Sequence, residues 1–200
     1  MITSISRELG TVQIPKHNGE IKMLPFQMEN VKTLPLKFQA IVQKMITYLP
    51  FSKGEAYLTV DGRSVEQSST HRRGGAHIDG NYIKETCGWG SGGGNGWKVG
   101  EGGRQLSSEH HKISYQKETG GMLIASDFEG CKGWNGKYEG EPGIGGDCSH
   151  IELGEGFKLK SNTVYYGNSQ FIHESLPISE SVHRTMVRVT LPLDYPLWEA

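Results

Sequence analysis

The chain is 200 residues long, with a formal net charge of −1 and a pI near 6.7. That length suits one domain with a sizeable core, and that charge excludes bulk electrostatic attraction to nucleic acid or to an anionic membrane. No apolar run approaches the ~20 residues that span a bilayer. The start, MITSISRELG, has no apolar leader, and Cys87, Cys131 and Cys148 are too few for a disulfide framework, so reduced thiols in a cytoplasmic protein are expected.

Residues 1–30 read as short β-like pieces interrupted by Pro15 and Pro25. Residues 34–49 carry the clearest helix, with Phe38, Ile41, Val42, Met45, Ile46 and Leu49 at i, i+3, i+4 spacing, Pro35 near its start and Pro50 at its end. It is expected to buttress a sheet. EAYLTV (55–60) reads as a strand closed by an Asp61-Gly62 turn. Further strands are expected at HKISYQ, GMLIAS, HIEL, GFKLK, TVYYGNSQFI and RTMVRVTL. Many short strands with turn residues and one main helix argue for a mainly β fold, a β-sandwich or jelly roll. The N-terminal segment and helix would occupy residues 1–50 and the β core about 51–200 of a single domain.

Twenty of the 28 glycines lie between 88 and 156, and two glycine-rich stretches there, CGWGSGGGNGWKVGEGG and FEGCKGWNGKYEGEPGIGG, also hold Trp89, Trp97 and Trp134. Both are expected to be long loops, either covering a substrate or pinned to the body by their tryptophans. Gly88, Gly90 and Gly93 match a dinucleotide-binding spacing, but no apolar strand precedes them and no helix follows.

The chemistry-bearing residues are His77, Asp79 and His173, followed by Arg184. Two histidines and one carboxylate cover one triangular face of an octahedral metal and leave three positions open. This suits a non-haem Fe(II) that binds a co-substrate and dioxygen together. His-x-acid pairs occur twice, at His77-Ile78-Asp79 and His150-Ile151-Glu152. Between Asp79 and His173 lie 93 residues, room for several strands, whereas only 20 separate Glu152 from His173. The first pair is therefore favoured. A zinc site from Cys131, Cys148 and His150 is the lesser alternative, since no Cys-x-x-Cys pair exists. In RTMVRVTL, alternation places Arg184, Met186, Arg188 and Thr190 on one face and Thr185, Val187, Val189 and Leu191 on the other. Two arginines on one face either meet solvent or line a site that receives anions.

Through these residues the chain resembles the Fe(II)/2-oxoglutarate-dependent dioxygenases. His77-Ile78-Asp79, Gly120-Gly121-Met122-Leu123-Ile124 and His173-Glu-Ser-Leu-Pro177-Ile178 look like stretches of the prolyl-hydroxylase-like members. The spacing from His173 to Arg184, with Arg188 and Thr190 beyond, looks more like the taurine dioxygenase branch, although a co-substrate-binding threonine of that branch would fall near Leu123. The resemblance covers roughly residues 70–192 through motifs alone. It implies a double-stranded β-helix (a cupin-like jelly roll) with one or two buttressing helices, and Fe(II) held by His77, Asp79 and His173. It also implies 2-oxoglutarate held at its distal carboxylate by Arg184, with Arg188 and Thr190 as the alternative pair. Reaction with O2 would hydroxylate a small substrate and release succinate and CO2. Arg188, Arg72 and Arg73 would suit an anionic substrate, and a peptide or nucleobase substrate stays open. Two rival readings stand beside it. One is a cupin-like metalloenzyme without 2-oxoglutarate; the other is a β-sandwich binding module that uses its tryptophans and glycine-rich loops.

Overall fold

The computed structural model describes residues 1–79 and 119–198. Among these residues are eleven strands and one α-helix: β1 (Ile2–Ser4), β2 (Ser6–Thr11), β3 (Gly19–Gln27), α1 (Leu36–Thr47), β4 (Glu55–Val65), β5 (Met122–Ser126), β6 (Cys131–Trp134), β7 (Gly136–Tyr138), β8 (Phe157–Lys158), β9 (Thr163–Gly167), β10 (Ile172–Ser175) and β11 (Val182–Thr190). The mainly β expectation is met. A six-stranded sheet has the order β2-β9-β5-β11-β4-β3, a three-stranded sheet the order β10-β6-β8, and β1 pairs with β7. Every pairing between these strands is antiparallel.

Alternation along the strands gives the large sheet two unlike faces. Leu58, Val60, Leu123, Ala125, Val164, Tyr166, Val187 and Val189 point to one side. There they form the main core with Phe38, Ile41, Val42, Met45 and Ile46 of α1. The helix is thus the expected buttress, two residues shorter at each end because Pro35 caps it and the chain turns at Tyr48. Pro25 lies in β3, an edge strand, where a missing N–H breaks no ladder bond.

The other face looks toward the small sheet. Met122, Ile124, Tyr165 and Met186 meet Phe171 and Leu159 across the gap. The remainder of the gap is a cavity of about 370 Å³. Isolated bridges extend the small sheet beyond β10, where His77 pairs with both His173 and Asp147, and Thr70 pairs with Pro177.

Several local expectations are corrected. Asp61-Gly62 does not turn the chain, because β4 runs on to Val65. Gly62 is needed for a close crossing: a Cβ there would lie 1.9 Å from the His17 carbonyl oxygen. TVYYGNSQFI is two strands, since the chain turns at Asn168–Gln170 and passes from the large sheet to the small one. Gly167 permits this turn, as a Cβ there would meet the Phe171 ring at 2.5 Å. Asn168 is tied by hydrogen bonds to the backbone of Thr3 and Ile5. His173 is therefore the second residue of β10 and not the end of a longer strand. HIEL forms no strand, GFKLK retains only a two-residue strand, and the second glycine-rich stretch contains β6 and β7. HKISYQ, Trp89, Trp97, Cys87 and Gly88, Gly90 and Gly93 lie outside the described residues. No helix among the described residues is long and apolar enough to cross a membrane.

Candidate metal centre

His77 and His173 face each other because their backbones do. His77 N–H donates to the His173 carbonyl at 3.0 Å, and His173 N–H donates back at 2.9 Å. A pair that exchanges both hydrogen bonds sets its two side chains on the same side of the sheet. The alternate residues point the other way: Ala76, Ile78 and Ile172 pack with Ile2, Trp134, Cys148 and Ile151 in a second apolar cluster. That cluster fixes the register, since a one-residue slip would exchange imidazoles for aliphatic side chains.

The imidazoles are oriented alike. His77 Nδ1 lies 2.7 Å from the Gly75 carbonyl oxygen, and His173 Nδ1 lies 3.0 Å from that of Phe171. A carbonyl only accepts, so each Nδ1 carries the proton and each Nε2 presents a lone pair. Metal-binding histidines are commonly fixed this way. Burial, reinforced by His173, lowers the His77 pKa to about 3, and burial likewise lowers that of His173. Both rings are neutral at pH 7. Burial opposes ionisation of Asp79, but the Arg188 guanidinium and the two histidines outweigh it and hold the carboxyl at about 2.

One ligand atom from each of His77, Asp79 and His173 lies within 4.8 Å of the other two, and His173 Nε2 is 3.7 Å from Asp79 Oδ2. An ion with bonds of roughly 2.1 Å draws its ligands to about 3–4 Å apart, so small side-chain movements would close the triangle. The donor set of two neutral imidazoles and one carboxylate fits a non-haem Fe(II). Among the described residues this is the one cluster of such donors.

The alternative ligands do not converge. His150 is exposed, with Nε2 against the Glu141 carbonyl, and Glu152 is exposed too. Cys148 is fully buried, its thiol pushed up to about 12 by burial and directed at the Gly146 carbonyl. Cys131 lies elsewhere, beside Arg184. The Cys131, Cys148 and His150 zinc site is therefore not formed.

Arg184 and Arg188 are 1% and 3% exposed, and both line the cavity, which removes the reading of a solvated strand face. Arg188 Nη1 donates to Asp79 Oδ2. Arg184 donates from Nε to Ser126 Oγ at 2.8 Å, from Nη1 to the Gly130 carbonyl at 3.2 Å and from Nη2 to Cys131 Sγ at 3.0 Å. Thr190 shares their strand face but lies outside the cavity wall, its hydroxyl 3.8 Å from Met23 Sδ. Leu123 points into the main core, while Ile124 faces the cavity. Trp134, the last residue of β6, donates from Nε1 to the Gly154 carbonyl at 3.2 Å.

Sequence reasoning missed a second buried carboxylate, just behind the same wall. Asp61, 2% exposed, accepts from Arg63 at 2.6 Å and from Arg72 at 3.2 Å, both through Oδ2. Its Oδ1 lies 3.4 Å from His71 Nε2. Burial works against its ionisation, yet His71, Arg63 and Arg72 together hold it at about 2. The available signal was alternation: once β4 continues past Gly62, Asp61 and Arg63 share the face of Arg184 and Met186, their cross-strand neighbours.

No protein-family model, curated protein or solved structure matches the chain.

Proposed function

We propose that the protein is an Fe(II)- and 2-oxoglutarate-dependent oxygenase acting on a small substrate. The observation that carries this reading is the reciprocal pairing of His77 with His173. Both Nδ1 atoms are committed to backbone carbonyls, and both rings stand beside the ionised Asp79 in a cavity whose opposite wall holds two buried arginines. The strand order supports a double-stranded β-helix. In an eight-stranded jelly roll wound from one long hairpin, strand 1 pairs with 8, 2 with 7, 3 with 6 and 4 with 5. Taking the His77 segment as strand 2, those pairs are β4 with β11, His77 with His173, β5 with β9 and β6 with β8.

Iron, when bound, supplies dioxygen activation coupled to decarboxylation of 2-oxoglutarate to succinate and CO2, and with it oxidation of the substrate. His77 and His173 would hold it as neutral ligands and Asp79 as the anionic one, with Arg188 as the outer partner of that carboxylate. Arg184 is the better anchor for the distal carboxylate of the co-substrate. Arg188 already touches a metal ligand, whereas Arg184 stands four residues along β11, a rise of roughly 13 Å. Three of the five Arg184 N–H groups are fixed by Ser126, Gly130 and Cys131, which orients the rest. Ile124 and Met186 give the cavity apolar surface between the charged groups.

Anaerobic titration with Fe(II) and 2-oxoglutarate tests the reading through the visible charge-transfer band of the chelate. A saturable band is expected, absent in His77→Ala and requiring roughly 10- to 100-fold more 2-oxoglutarate in Arg184→Ala, the equivalent of losing a charged hydrogen-bond partner. Metal binding without the band would favour a cupin-like enzyme that uses no 2-oxoglutarate. No metal binding by folded protein would favour a β-sandwich binding module.

A further inference from the structure

We infer that the mouth of the cavity is an anion subsite, built by Arg63 and Arg72 on the buried Asp61, which selects small substrates carrying a phosphate or a second carboxylate. Its assignment to the substrate rests on the oxygenase reading; its anion chemistry does not.

The first argument is local. Arg63 and Arg72 both donate to one oxygen of one carboxylate. The guanidiniums are therefore neighbours on one carboxylate oxygen, and among the described residues the one further anion near them is Glu20, 3.9 Å from Arg72 Nη1 and also 3.1 Å from Lys22. Asp61 is buried while the Arg63 side chain is 55% exposed and that of Arg72 is 24% exposed. The carboxylate anchors the pair from behind and leaves guanidinium surface toward the cavity, which both residues line. Neighbouring planar forks, held before the ligand arrives, match the oxygens of a phosphate or carboxylate and lose little freedom on binding.

The second argument is charge balance. Among the described residues six cationic side chains line the cavity: Lys22, Arg63, Arg72, Arg73, Arg184 and Arg188. Against them stand Glu20 and Asp79 in the wall, Asp61 behind Arg63 and Arg72, and Asp147 3.7 Å from Arg73. Among the described residues the cations exceed the carboxylates by two. A divalent metal and the dianionic 2-oxoglutarate cancel each other, so that surplus remains for the substrate. A phosphate monoester carries a charge of about −1.5 to −2 at pH 7. The cavity of about 370 Å³ and the net charge of −1 for the whole chain favour a small molecule over a nucleic acid.

The test uses full-length protein loaded with Mn(II) and saturated with 2-oxoglutarate, with inorganic phosphate as the probe. Binding is read by titration calorimetry and by Mn(II)-enhanced relaxation of the ³¹P signal, which reports proximity to the metal centre. Saturable phosphate binding is expected, with relaxation enhancement that reaches a plateau. Affinity should fall roughly tenfold or more in Arg63→Gln/Arg72→Gln, the effect of losing charged hydrogen bonds, and stay unchanged in Lys44→Gln on the exposed side of α1. If the double glutamine variant does not fold, Arg63→Lys/Arg72→Lys keeps a counter-charge for Asp61 and removes the forks, and it should still weaken binding. Undetectable phosphate binding, or binding indifferent to both double variants, overturns the subsite. So does a short RNA that binds far more tightly than phosphate through the same arginines, because the ligand class would then be wrong. Arginine-dependent phosphate binding in protein that forms no charge-transfer band would uphold the anion subsite and overturn the oxygenase reading instead.

Discussion

The two faces of the large sheet are made by the same strands to opposite rules. On one face Val187 and Val189 are fully buried against α1. On the other, Arg184 and Arg188 are buried almost as completely, with Asp61 and His71 beside them. Burying an aliphatic side chain stabilises by about 1.5–3 kcal/mol, whereas taking an ion out of water costs several kcal/mol before its partners compensate. The first face holds the sheet together. The second is a poor way to build a core and a good way to hold anions and a metal, and the contrast separates stability from site chemistry residue by residue.

The sharpest break in this comparison is a pair of alanine variants. Phe38→Ala on the helical side should cost about 3–5 kcal/mol of unfolding free energy and leave Mn(II) affinity at neutral pH unchanged. Asp79→Ala should abolish Mn(II) binding. Urea unfolding and metal titration on the same two proteins check both. If Phe38→Ala also lost the metal at temperatures where it remains folded, the faces would not be independent.

Arg188→Met comes next. It removes the counter-charge of a carboxylate that is 6% exposed, and leaving a buried charge uncompensated costs about 3–5 kcal/mol. The double variant Asp79→Asn/Arg188→Met should recover most of that loss in urea unfolding. A double variant as unstable as the single one would mean that Arg188 acts through packing and not through charge.

Much of this division was legible in the sequence, for physical reasons that also mark where legibility ended. The i, i+3, i+4 pattern from Phe38 to Ile46 revealed the helix, and the alternation in RTMVRVTL put both arginines on the face opposite Val187 and Val189. His77, Asp79 and His173 come together as their spacing suggested. Other features depend on contacts between distant segments. Gly62 reads locally as a turn, but the space above it is filled by His17, so the strand continues and carries Arg63 into the cavity wall with Asp61 behind it. The break after Gly167 is set by the Phe171 ring and by Asn168 binding the N-terminal segment. His17 and the N-terminal segment lie outside any window of neighbouring residues, and Phe171, though only four residues from Gly167, folds back over it solely because the chain has already turned.

Acid should unravel the charged face in two stages. His77 titrates near 3 when folded against an ordinary value near 6.5, because burial disfavours its charged form, and His173 is lowered in the same direction. The unfolded chain therefore binds more protons than the folded one below pH 6.5, and stability falls as pH drops from there toward 3. Asp79 and Asp61, held near 2 by their cationic partners, add a further loss between about 3.8 and 2. A tenfold difference in proton affinity between the folded and unfolded chain is worth about 1.4 kcal/mol. Urea midpoints measured at pH 7, 5 and 4 should decline steadily, and His77→Phe should flatten the decline between 6.5 and 4. A wild-type midpoint constant down to pH 4 would contradict neutral buried imidazoles.

The smallest expected change in stability belongs to Arg184→Met, and it is the most telling for that reason. Among the described residues Arg184 is the largest fully buried side chain, yet no carboxylate there pairs with it; its partners are the Ser126 hydroxyl, the Gly130 carbonyl and the Cys131 sulfur. Methionine approximates its length without its charge and relieves the protein of a desolvated guanidinium. It also strands neutral acceptors, each worth about 1 kcal/mol. These effects oppose each other, so the net change in unfolding free energy should stay within about 1.5 kcal/mol. Affinity for 2-oxoglutarate should fall all the same. Adding Ser126→Ala to Arg184→Met removes one of the stranded groups and should return part of the lost stability without restoring co-substrate binding. A large destabilisation by Arg184→Met, cured by Ser126→Ala, would instead mark Arg184 as a structural brace between β11 and β5.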